Sequence, residues 1–160
     1  MTVSSLKGKF LFALAGAFLL MSAGLASAEG PYQLQGSWSV QVTLRDCDSG
    51  QQMGPAFSSL ATFSKGGTTT DTTANPAFFP AERSPGHGTW SKTGWRTYQA
   101  SSTAFITLNG ALAKTQVIRQ EIKFGDLADQ YSSNARVQFF DPSGNLLVTG
   151  CATAEAQRLK

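Results

Sequence analysis

The sequence predicts an all-β fold, an eight-stranded antiparallel up-and-down barrel, on three observations. Apolar and polar residues alternate in runs of strand length, the period of a half-buried strand. Turn residues recur about every 8 to 14 positions, with no strong helical periodicity between them. Near opposite ends of the chain, Cys47 with Cys151 and Trp38 with Arg158 call for nearly the same antiparallel register between the first and last strands.

The chain opens with a leader. Lys7 and Lys9 form a positive n-region, Phe10 to Met21 an apolar h-region, and Ala26-Ser27-Ala28 an A-x-A cleavage site. This is the pattern of a Sec signal peptide over 1–28. The remainder, 29–160, is about 130 residues, enough for one modest core and not two. Lys7 and Lys9 leave with the leader, so the formal charge of +3 drops to about +1. Nucleic acid and anionic membrane thereby lose their support as partners. No Cys stands directly after the cleavage site and no second apolar run approaches the ~20 residues of a membrane helix. A secreted or periplasmic domain without a membrane anchor is expected. In that oxidising compartment Cys47 and Cys151 are expected to form a disulfide.

The strands follow in order. Trp38, Val40, Val42 and Leu44 alternate with Ser39, Gln41, Thr43 and Arg45. Phe57 to Ser64 is the second strand, and Gly66-Gly67 turns into the threonine run Thr68 to Thr73, whose β-branching suits a pleat. Ala74 to Pro85, with three prolines, is the one long irregular stretch. His87 to Ser91 resumes, Thr93-Gly94 turns, and Trp95 to Leu108 is long. Asn109-Gly110 is the strongest hairpin signal, since both residues tolerate the positive φ of a type I′ turn. Leu112 to Phe124, Tyr131 to Phe140 and Leu146 to Ala154 complete the set, with Asp141 to Gly144 as the last turn. Closing these strands into a barrel removes both unpaired edges. The register that joins the cysteines also sets Arg158 across Trp38, within reach of a cation–π contact.

Gly36-Ser37-Trp38 at the start of the first strand, with Arg158 just after the last, resembles the lipocalin and wider calycin barrels. There a G-x-W and a terminal basic residue close the bottom of the barrel. The layout is also similar to small secreted bacterial lipocalin-like proteins, which share segments like Arg83 to Trp90 and Gly150 to Ala154. The T-D-Y of typical lipocalins is absent. The resemblance implies a cup holding a small apolar ligand; for the bacterial relatives it implies no settled activity.

The Asn109-Gly110 turn sets the expected lining of that cup. Continued without interruption, its register puts Trp95 and Phe105 on the same face as Ile118, Ile122 and Phe124. A belt of Gln99, Ser101, Thr103, Gln116 and Gln120 accompanies them. Side-by-side amides rarely fill a solid core, because each has four hydrogen-bonding positions, whereas a wet or ligand-bearing cavity accommodates them. Trp95, Gln99, Phe105, Gln120 and Phe124 are the ligand-binding candidates. Phe78 and Phe79, between Pro76 and Pro80, form either a lid or partner patch, or a plug over a minor core. His87, the one histidine, faces inward toward Gln99 if the turn is Lys92-Thr93-Gly94. It faces outward, with Trp90 inward, if the turn is Thr93-Gly94.

Dedicated chemistry is sparse. One histidine and a disulfide leave few metal ligands. Asp46, Asp48 and Gly50 lack the remaining positions of a calcium loop and read as a solvated turn. No P-loop, G-x-S-x-G or dinucleotide fingerprint occurs. No cofactor, metal or catalytic residue is assigned. The leading expectation is a carrier or scavenger of a small hydrophobic molecule. The alternatives are a protein-interaction barrel, such as a protease inhibitor acting through Glu29 to Gln35 or the Phe78-Phe79 loop, and a small cyclase or isomerase using His87, Glu82 and Tyr98.

Overall fold

The computed structural model of the chain describes residues 1–2 and 32–160. The n-region lysines, the h-region and the cleavage site of the expected leader lie outside the described residues. Among the described residues nine strands run in chain order: β1 Gly36–Arg45, β2 Phe57–Phe63, β3 Thr68–Thr73, β4 Glu82–Arg83, β5 Gly86–Lys92, β6 Thr97–Leu108, β7 Ala111–Phe124, β8 Gln130–Phe140 and β9 Leu146–Arg158. One 3-10 turn, Pro76–Phe78, lies within the irregular stretch. Both β4 and β5 pair with β6, so they share one position in the wall. Every neighbour pair is antiparallel and β1 meets β9, giving a closed eight-stranded antiparallel barrel. Among the described residues no helix is long and apolar enough to cross a membrane.

Closure follows the expected register. Trp38 pairs with Arg158, and Arg45 with Cys151. Cys47, two residues past Arg45, folds back to form the disulfide with Cys151. The Arg158 guanidinium lies 4.2 Å over the Trp38 ring and donates to the carbonyls of Gln33 and Gln35. Trp38 Nε1 donates to the Leu34 carbonyl at 2.9 Å. Gly36 is required at the head of β1. Its φ is 127°, and a Cβ there would lie 2.6 Å from Arg158 Nη1. Around this plug Phe63, Phe124 and Tyr131 pack edge to face with Trp38 or with one another. The small Ala154 and Ala156 of β9 leave room for these rings. One end of the barrel is therefore solid, and burial of the Tyr131 phenol there raises its pKa.

Two hairpins depart from regular pairing. Asn109 and Gly110 take φ of 52° and 79°, as a type I′ turn demands. Leu108–Ala111 and Thr107–Leu112 pair as that turn dictates, but the next pair is Ile106–Lys114, leaving Ala113 as a bulge. A one-residue slip exchanges the faces of a strand. From Ile106 to Thr97, β6 is thus inverted relative to the uninterrupted register. Its inward row is Tyr98, Ala100, Ser102, Ala104 and Ile106, all buried. The β5–β6 turn is longer than either expected form: Lys92 pairs with Tyr98 and His87 with Thr103. The Thr97 carbonyl accepts from the N–H groups of both Thr93 and Gly94.

Candidate functional site

The end opposite the plug is hollow. A cavity of about 500 Å³ opens there, walled by Val42, Leu44, Phe57, Ile106, Ile118, Val137, Phe139 and Val148. These are inward residues of β1, β2, β6, β7, β8 and β9, so the alternation that builds the barrel also makes the cavity apolar. Gly150 lines it as well, and a Cβ there would meet nothing within 4 Å.

Into this apolar wall β3, β4 and β7 bring one polar cluster. Arg83 Nη2 donates to Asp71 Oδ2 at 2.6 Å, and its Nε to Gln116 Oε1 at 2.5 Å. Its Nη1 donates to the Ser84 carbonyl at 3.1 Å. The Arg83 side chain is 4% exposed and that of Asp71 19%, so the pair stands almost out of water. Asp71 fits because its cross-strand partner is Gly86; a Cβ there would overlap the Asp71 carboxylate. Asp71 Oδ1 and Thr73 Oγ1 are buried without a hydrogen-bond partner. An apolar cavity with few convergent polar groups is suited to hold and orient a small molecule.

The expected lining is corrected in three places. Trp95 and Phe105 are 66% and 54% exposed, and Gln99 is exposed on the outer face with its amide on Ser91 Oγ. The Ala113 bulge is the cause for Phe105 and Gln99, and also turns Ser101 and Thr103 outward. Trp95 precedes β6 and stacks outside the plugged end against Tyr32 and Arg96. Phe124 does point inward, but it belongs to the plug and not to the cavity. Gln120 is half-buried opposite Ala100, on the inward row with Gln116.

The loop candidates divide. Phe78 lines the cavity mouth, at the end of a turn capped by Asn75 Oδ1 on Ala77 N–H. Phe79 points away and is 87% exposed. His87 is exposed on the outer face. Trp90 faces inward, packing on Phe63 and Tyr98 and donating to the Ser64 carbonyl. His87, Glu82 and Tyr98 do not converge, since Tyr98 is in the plug with its hydroxyl on the Tyr32 carbonyl. The catalytic constellation expected of them is absent from these positions.

Asp71 and Arg83 escaped the sequence reading. Asp71 sits in the threonine run and Arg83 in the stretch read as irregular. The available signal was parity: Asp71 shares the face of Thr69 and Thr73, and a charge on an inward row needs a partner.

A larger concavity, about 880 Å³, lies beside the disulfide, lined by the inward residues Trp90, Ala100, Gln120 and Ala152 as well as by outward ones such as Gln99, Arg119 and Arg136. There Arg119 pairs with Arg136, which in turn neighbours Cys151 and through it Arg45. Arg119 donates to Gln138 and Arg45 to Thr153. This concavity is more polar and more open than the apolar cavity at the barrel end. Comparison with protein-family models, with curated proteins and with solved structures finds no match.

Proposed function

We propose that this chain is an exported, lipocalin-like barrel that binds a small hydrophobic molecule in its lumen, as a carrier or scavenger. One observation carries the reading: a cavity of about 500 Å³ with apolar walls around a buried polar cluster, within the ~300 to 1,000 Å³ range of small-molecule sites. A barrel built only for stability would fill that volume, because unfilled space costs packing energy. The disulfide supports the oxidising compartment that the leader implies.

The test is uptake of a neutral hydrophobic fluorescent probe, together with native mass spectrometry of gently purified protein. Gly150→Leu adds bulk where the cavity has room for it. Probe uptake by the wild type, lost in Gly150→Leu with an unchanged melting temperature, is the expected result. A wild type that takes up no probe and carries no co-purifying molecule overturns the reading, as does undiminished uptake by Gly150→Leu.

A second reading, a protein-interaction barrel, draws on the exposure of Phe79 beside the mouth. It requires that Phe79→Ser abolish capture or inhibition of a secreted protease while probe uptake stays intact. Equal capture by the variant, or none by the wild type, removes it.

A further inference from the structure

The hydrogen bonds left unmade at the cavity wall constrain the ligand's head group. Asp71 Oδ1 and Thr73 Oγ1 are both buried without a partner. They belong to residues two positions apart on β3, whose Cα atoms are about 7 Å apart, so their side chains share the inward face. Both residues line the cavity. A buried oxygen without a partner is costly and rare in a folded protein. At a cavity wall it marks a place where a bound group completes the bonding.

Arg83 does not complete it. Its Nη2 engages the other Asp71 oxygen, its Nε engages Gln116, and its Nη1 engages the Ser84 carbonyl. The Arg83 charge is already matched by Asp71, so the cluster presents a paired arginine and a free carboxylate oxygen. A carboxylate ligand would meet like charge at Asp71 and an arginine whose charge is spent. A hydroxyl or ammonium group would donate to Asp71 Oδ1, and a hydroxyl would also accept from the Thr73 hydroxyl. Oδ1 packs against Gly86, so seating a ligand requires the carboxylate to rotate, for which the open part of the Asp71 side chain leaves room.

We infer that the lumen ligand is an apolar molecule with a hydrogen-bond-donating head, an alcohol or amine and not a carboxylic acid, seated by Asp71 and Thr73. The inference rests on the lumen-binding reading and names the ligand class within it.

The experiment is calorimetric titration of the disulfide-bonded protein with 1-decanol, decylamine, decanoate and methyl decyl ether, four heads on one chain length. The alcohol or the amine binds at least tenfold more tightly than the ether, and decanoate binds more weakly than both. Whichever of the two leads identifies the head as hydroxyl or ammonium. Asp71→Asn, which retains an acceptor for Arg83, shrinks the preference over the ether to threefold or less. Thr73→Val leaves the ion pair untouched and lowers the alcohol's advantage several-fold; it decides the matter if Asp71→Asn fails to fold by near-ultraviolet circular dichroism. An ether that binds as tightly as the alcohol and the amine, or decanoate binding tightest, overturns the head-group inference and leaves lumen binding standing. If none of the four binds and no probe enters, both fall.

Discussion

Removing either member of the buried ion pair exposes an asymmetry that the structure makes quantitative. In Asp71→Ala the Arg83 cation loses its counter-charge while its side chain is 4% exposed. Arg83 also lines the cavity, but little of its side chain meets water, and an uncompensated buried charge costs about 3 to 5 kcal/mol. In Arg83→Met the orphan is Asp71, whose side chain is 19% exposed and lines the cavity. Cavity water solvates it in part, and the loss is about 2 to 3 kcal/mol. The double variant Asp71→Ala/Arg83→Met buries no charge and is more stable than either single variant. Urea unfolding followed by tryptophan fluorescence, with the disulfide intact and equal slopes across the four proteins, measures these differences. If both single variants lose less than about 1 kcal/mol, or the double variant is no more stable than Asp71→Ala, the pair is not the desolvated unit described.

Three further outcomes are expected. Phe124→Ala, at 1% exposure, loses about 3 to 5 kcal/mol, whereas Phe105→Ser and Gln99→Ala change stability by no more than about 0.5 kcal/mol and leave probe uptake unchanged; thermal melts and the uptake assay check both. Replacing Cys47 and Cys151 by serine releases a bridge of sequence separation 104 and lowers stability by up to about 4 to 5 kcal/mol on the chain-entropy model, read from chemical denaturation. The Asn145 side-chain amide, then backbone N–H groups of the last turn, hold the Asp141 carboxyl below its ordinary pKa. A depressed carboxyl stabilises the fold fully above its unfolded pKa and loses that contribution as pH falls through the folded value. Asp141→Ala therefore melts lower than wild type at neutral pH, and the gap closes in strong acid, as melting curves across pH show.

Local chemistry was legible from the sequence alone. Alternation marked the eight wall positions, Asn109-Gly110 placed a turn whose φ values are those observed, and the register joining Trp38 to Arg158 anticipated closure. Each of these depends on residues near in sequence or on a pairing already constrained at both ends. Gln116 and Gln120 lie on the inward row of β7, as that strand's own apolar row implies, but of the two Gln116 alone lines the cavity. The strand ends were less legible: β9 continues to Arg158, and a two-residue strand lies inside the stretch read as irregular.

Tertiary structure alone decided which face of β6 is inside and what stands in the lumen. The single extra residue at Ala113 inverts ten positions of β6, from Thr97 to Ile106, because the side-chain period of a strand is two. No residue near the Asn109-Gly110 turn announces that bulge. Asp71, Arg83 and Gln116 come from three separate strands and meet only once the barrel has closed around them. The amino-acid sequence thus determined the barrel, through periodicity and turn chemistry that act locally. The polar cluster at its cavity depends on register and on long-range approach, and those are properties of the closed wall.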